Sequence, residues 1–146
     1  MIYTFTCREA AALALLSLNT CTDMKRREIS LASIPAGIGI GTICTFLEGS
    51  FSPGLLFSFI PGVFMALAGI LSHGAVGMGD ALVLLALGAL VPYENAAATL
   101  LAALMLSGIF AAGFRILGKG KKQDYSPFVP FLLTGHLLML LLDMKL

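Results

Sequence analysis

Six apolar stretches, approximately Ile2–Thr20, Leu31–Leu47, Phe51–Leu71, Ala81–Val91, Ala96–Leu117 and Phe128–Leu142, take up most of this 146-residue chain. Polar residues gather in the junctions between them. In hydrocarbon a backbone must satisfy its own hydrogen bonds, which segments of this length do as helices. The pattern predicts an all-α membrane protein: one integral-membrane domain over residues 1–146, a bundle of about six transmembrane helices. Charge agrees, since 12% of the residues are charged where a soluble domain carries about 25%. At roughly 20 residues per crossing, no room is left for a separate soluble domain. The second, third and fifth stretches are long enough to span. The fourth is short and by itself suits a re-entrant or partly buried helix; extended from Gly79 to Tyr93 it can cross, with Pro92 ending it. No small-residue cleavage site marks a removable secretory leader.

Charge placement orients the bundle. If all six stretches cross, Lys25, Arg26, Arg27, Arg115, Lys119, Lys121 and Lys122 share one face, seven of the nine basic residues. Arg8 and Lys145 fall on the other, beside Glu48 and Glu94. The basic face is then cytoplasmic, with both termini outside. Arg8 lies about 22 Å along the first helix from Asp23 and can snorkel to the far interface. Gly37, Gly39 and Gly41 offer a close-packing surface on the second stretch, and Pro35 and Pro61 are candidates for kinks.

Two acids stand out in this frame. Asp23 leaves the first stretch and Asp80 enters the fourth, and two crossings between them return Asp80 to the face of Asp23. Taken singly, each has a structural explanation: Asp80 as a helix N-cap, Asp23 as a solvated charge beside Lys25 or Arg26. Capping alone does not require both on one face. Two carboxylates close enough to share a proton cannot both ionise readily, so one holds the proton and the other does not. Such a pair can activate water and protonate a leaving amine, the chemistry of aspartic peptide hydrolysis. Residue type alone does not assign the two roles. Gly77 and Gly79, which flank Met78 just before Asp80, permit close backbone approach.

The remaining polar residues point to packing or topology. Cys7, Cys21 and Cys44 form no CxxC pair and no zinc spacing, so neither a metal nor another cofactor is expected. Cys21 is near Asp23, but a buried cysteine ordinarily behaves as a small hydrophobe. His136, inside the last stretch, needs a partner on a neighbouring helix, and His73 belongs to a solvent-facing loop. Lys25 and Arg27 serve topology or meet substrate; a basic substrate would be repelled by them.

These residues also carry a family resemblance. Asp23 followed by Lys25-x-Arg27-x-Ile29 resembles the D-x-[KR]-x-[RK]-x-[IV] pattern of the type IV prepilin and preflagellin peptidases. Gly77-Met78-Gly79-Asp80 matches their GxGD element, and Pro127-Phe128-Val129-Pro130 with Gly135 is similar to the proline-rich opening of their last helix. The resemblance implies that Asp23 and Asp80 are catalytic, with Gly77 and Gly79 shaping the site. It implies cleavage of the basic leader of a prepilin, pseudopilin or preflagellin at the cytoplasmic face of the inner (cytoplasmic) membrane, without nucleic acid. Two departures matter: Leu82 stands where many members have lysine, and the CxxC-bearing insertion of the N-methylating members is absent. The chain is therefore similar to the short, peptidase-only form. Two other classes stay open at this point, a small proton- or ion-coupled carrier using Asp80 and His136, and a non-catalytic membrane scaffold built on the glycines.

Overall fold

The computed structural model describes residues 6–26, 28–49, 53–73, 77–117 and 127–143. These residues form α1 (Cys7–Arg26), α2 (Ser33–Leu47), α3 (Gly54–Phe57), α4 (Ile60–Leu71), α5 (Met78–Leu90), α6 (Tyr93–Ile116) and α7 (Val129–Asp143), with no strand among them. Short α3 and α4 are separated by one turn and together cover Gly54–Leu71 of the third apolar stretch. This stretch and α6 are the two helices long and apolar enough to cross a membrane. The remaining apolar helices are shorter. α5 has 13 residues, about 20 Å of helix, so the sequence reading of a partly buried fourth segment describes it better than a full crossing.

α5 is the centre of the bundle. Nearly all of its side chains from Ala81 to Leu90 are buried, and it packs against α1, α2, α4 and α6. Small residues make this possible. A Cβ on Gly41 of α2 would overlap the backbone of Ala89, and one on Gly88 would overlap the carbonyl of Ser58. Gly37 meets Leu15 and Ala86, whereas Gly39 faces open space, so the close-packing surface expected on α2 uses two of its three glycines. Outside this core, large apolar side chains such as Phe46, Leu71 and Ile109 point outward.

Polar contacts fix the direction of each helix. Near the start of α1, the Arg8 guanidinium donates to Leu90 O at 3.0 Å, donates more weakly to Ala89 O, and pairs with Glu48 at 3.2 Å. A cation thereby meets the free carbonyls at the C-terminal end of α5. α5 therefore runs antiparallel to α1. Pro92 turns the chain back, so α6 runs parallel to α1. α7 returns antiparallel, with Gly135 and His136 against Thr99, and Phe131 against Phe110. One end of the bundle then gathers Lys25, Arg26 and Arg115, and the other holds Arg8, Glu48 and Glu94, the separation expected from charge placement. Arg27, Lys119, Lys121, Lys122 and Lys145 lie outside the described residues.

Neither proline kinks a helix. Pro35 and Pro61 both fall in the first turns of α2 and α4, where a missing N–H forfeits no intrahelical bond. The first stretch also runs on: α1 continues to Arg26, so Asp23 lies in its last turn and not in the following loop.

Candidate active site

Asp23 and Asp80 lie at the same end of the bundle, on antiparallel helices that pack directly. Asp23 is on the buried face of α1, 9% exposed. Asp80 is half-buried in the first turn of α5. The helix begins three residues earlier than an N-cap role for Asp80 requires: Gly77, with extended backbone, holds the cap position. Asp80 keeps a local tie, since its N–H donates to Gly77 O at 3.1 Å.

The two glycines before Asp80 have separate reasons to lack a side chain. A Cβ on Gly77 would stand 2.8 Å from Asp80 Oδ2, so the bare glycine leaves space for the carboxylate to lie over the helix start. A Cβ on Gly79 would overlap the end of Ile29. Ile29, from the loop that follows α1, thus seats itself directly on the backbone beside Asp80.

What holds that loop is Asn19, a residue that sequence pattern did not single out. It is fully buried in α1. Its Nδ2 donates to Leu15 O at 2.9 Å and Ser33 Oγ at 2.8 Å, and its Oδ1 accepts from Ser30 N–H at 3.1 Å. One amide therefore ties α1, the loop and the start of α2 together, and sets Ile29 against Gly79. The signal available was its position: an amide inside an apolar stretch must find partners.

Electrostatics couples the acids. Asp80 lies at the polar mouth of α5, just before the apolar run that begins at Ala81. Burial, and then the negative charge of Asp23, push its carboxyl up from the ordinary 3.8 to about 6. The acids are thus near enough for one to oppose ionisation of the other. No cluster of three or more metal-ligating side chains occurs among the described residues.

Other sequence-selected residues fall around this centre or away from it. Lys25 is exposed at the end of α1, and Arg27 lies outside the described residues. Cys21 is exposed, so the expected burial does not hold for it. His73 is exposed with a left-handed backbone, φ 52°. His136, 1% exposed, meets Thr99 Oγ1 through Nδ1 at 3.2 Å, the interhelical hydrogen bond expected of it. Leu82 packs against the core. A cavity of about 600 Å³ lined by Arg8, Ser58 and Tyr93 opens at the opposite end of the bundle, so it does not serve the acids.

Paired acids at the polar end of an apolar helical bundle define a candidate for peptide hydrolysis, and comparison with known families places the chain among peptidases. The model of the type IV leader peptidase family matches residues 10–112, and the chain belongs to this family. Both aspartates, Ile29 and the Gly77–Asp80 turn lie within the match, while the proline-rich opening of α7 lies beyond it. No curated protein and no solved structure matches the chain.

Proposed function

We propose that the protein is an integral-membrane aspartic endopeptidase that removes the basic leader from prepilin-like proteins at the cytoplasmic membrane face. The observation that carries this reading is the meeting of Asp23 and Asp80 at one end of the bundle, with Asp80 held toward its protonated form, in a member of the leader peptidase family. Outward-facing apolar side chains support a membrane setting, since soluble monomers rarely expose such contiguous surface. The basic residues at the acid end support a cytoplasmic face. With no CxxC-bearing insertion in the sequence, the expected activity is peptide cleavage without N-methylation.

Of the two acids, Asp80 is the better general acid, because burial and its neighbour favour its neutral form. Asp23 then acts as the base. Water gives a proton to Asp23 as its oxygen adds to the scissile carbonyl, and Asp80 donates toward the carbonyl oxygen. When the tetrahedral species collapses, the carbon–nitrogen bond breaks and the amine leaves with a proton from the pair. The acids titrate together, so the assignment describes the singly protonated state.

Co-expression with a prepilin-like protein from the same genome tests the reading. The expected result is a mass loss equal to the leader with wild type, absent with Asp23→Asn and with Asp80→Asn. Cleavage that survives both substitutions would end the aspartic mechanism.

A further inference from the structure

One turn before Asp23, α1 carries a buried hydroxyl that the acid pair alone does not explain. Thr20 Oγ1 is shielded from solvent and has no hydrogen-bond partner among the described residues. A threonine on a helix ordinarily turns its hydroxyl onto a carbonyl one turn back, as Thr22 does to Leu18 O and Asn19 O, and Thr45 to Gly41 O. Leaving a buried hydroxyl unmatched is costly, so a group that the described residues do not supply is the natural partner.

Its place in the bundle says which group. Thr20 is three residues before Asp23, so the two side chains share one side of α1, a turn apart. Two ties relate its depth to Asp80. Arg8 meets Leu90, and at 1.5 Å per residue Thr20 lies about 18 Å along α1 from the first, Asp80 about 15 Å along α5 from the second. Leu15 and Ala86 both meet at Gly37; from there Thr20 is about 8 Å along and Asp80 about 9 Å. Both ties put Thr20 at the level of Asp80. The side chain of Asp23 also leans toward this level, because helical Cα–Cβ bonds tilt toward the N-terminus. Leu15 and Asn19 face α2, through Gly37 and Ser33. Thr20 therefore occupies the other edge of the buried face of α1, away from α2.

We propose that Thr20 is the third polar group of the hydrolytic site, and that its hydroxyl holds the water that the acid pair activates. The inference rests on the two-aspartate reading given above. During hydrolysis the water passes one proton to Asp23 and its oxygen to the carbonyl carbon. Thr20 accepts or donates a hydrogen bond throughout and exchanges no proton.

Thr20→Val keeps the shape and removes the hydroxyl, and Thr20→Ser keeps the hydroxyl. Both would be compared with wild type, Asp23→Asn and Asp80→Asn in detergent, on a prepilin-like protein that the wild type cleaves. For Thr20→Val the expected result is a kcat lower by about tenfold or more, with KM within about twofold, because misplacing a reacting group slows the chemical step. Its Tm should be unchanged, since the hydroxyl bonds a water and its removal breaks no bond within the chain. Thr20→Ser should restore kcat. Wild-type kcat in Thr20→Val, or a lower Tm in that variant, or a kcat that serine does not restore, would each overturn the role. Inactive aspartate variants beside a fully active Thr20→Val would refute the water site alone; active aspartate variants would refute the reading beneath it.

Discussion

The contact between Ile29 and Gly79 allows the loop after α1 to be tested by size. Gly79→Ala places a Cβ onto Ile29 Cδ1, and the same Cβ would stand 3.2 Å from Cγ1 and 3.4 Å from Cβ. Rotating the terminal methyl relieves only the first overlap, so loop or helix must give way. Inserting one carbon into a packed contact costs about 1–3 kcal/mol. Ile29→Val removes Cδ1 and by itself costs about 0.5–1.5 kcal/mol. If the two side chains compete for one space, the double variant is more stable than the sum of the single changes, with a coupling of about 0.5–3 kcal/mol. Denaturation in detergent measures the four stabilities, and leader cleavage measures the four rates. Activity should fall in Gly79→Ala, because Asp80 is the next residue, and recover in part when Ile29→Val is added. Strict additivity in both measurements would refute the seat assigned to Ile29.

Other expectations follow from the same geometry. Because Asp80 titrates near 6 when folded and near 3.8 when free, the folded form binds the extra proton between those values; its contribution to stability is full below about 3.8, falls as pH rises to about 6, and is then constant. Asp80→Asn should flatten this stretch of the stability–pH curve, and kcat/KM should lose activity as pH rises through about 6 in the free enzyme; a basic limb near an ordinary carboxyl value would refute the coupling. Asn19→Ala leaves Ser30 N–H and Ser33 Oγ without their amide partner and should cost about 1–3 kcal/mol, with trypsin cutting faster after Lys25 or Arg26 as the loop loosens. Arg8→Met, which removes the cation at the far end of α5, should destabilise by about 1.5–3 kcal/mol while leaving the pH dependence of cleavage unchanged, because it acts at the other end of the bundle.

The pairing of the acids was legible because it depends on parity: two passages between Asp23 and Asp80 return the chain to its starting side, whatever the helix limits. The gathering of Lys25, Arg26 and Arg115 at one end, away from Arg8, was legible for the same reason. The role of Gly79 was only half legible, since sequence reports a missing Cβ but not that Ile29 fills the space. Helix starts were misread where the decision is local backbone geometry, as at Gly77, whose extended conformation moves the start of α5 ahead of Asp80. Pro35 and Pro61 carry the same information in a kink or a first turn, and only the neighbouring residues decide between them. Asn19 and Thr20 stayed hidden because a polar residue within an apolar stretch gains meaning from its partners, which come from other helices or from outside the chain.

The brevity of α5 has a consequence for water around the acids. On the membrane reading proposed above, a helix of about 20 Å falls about 10 Å short of a hydrocarbon layer of about 30 Å, and its Arg8 clasp holds the end away from the acids. Because α5 is enclosed by α1, α2, α4 and α6, the shortfall would open as a recess within the bundle at the acid end and leave the surrounding lipid undeformed. Water entering that recess would reach Asp80 below the level of the headgroups.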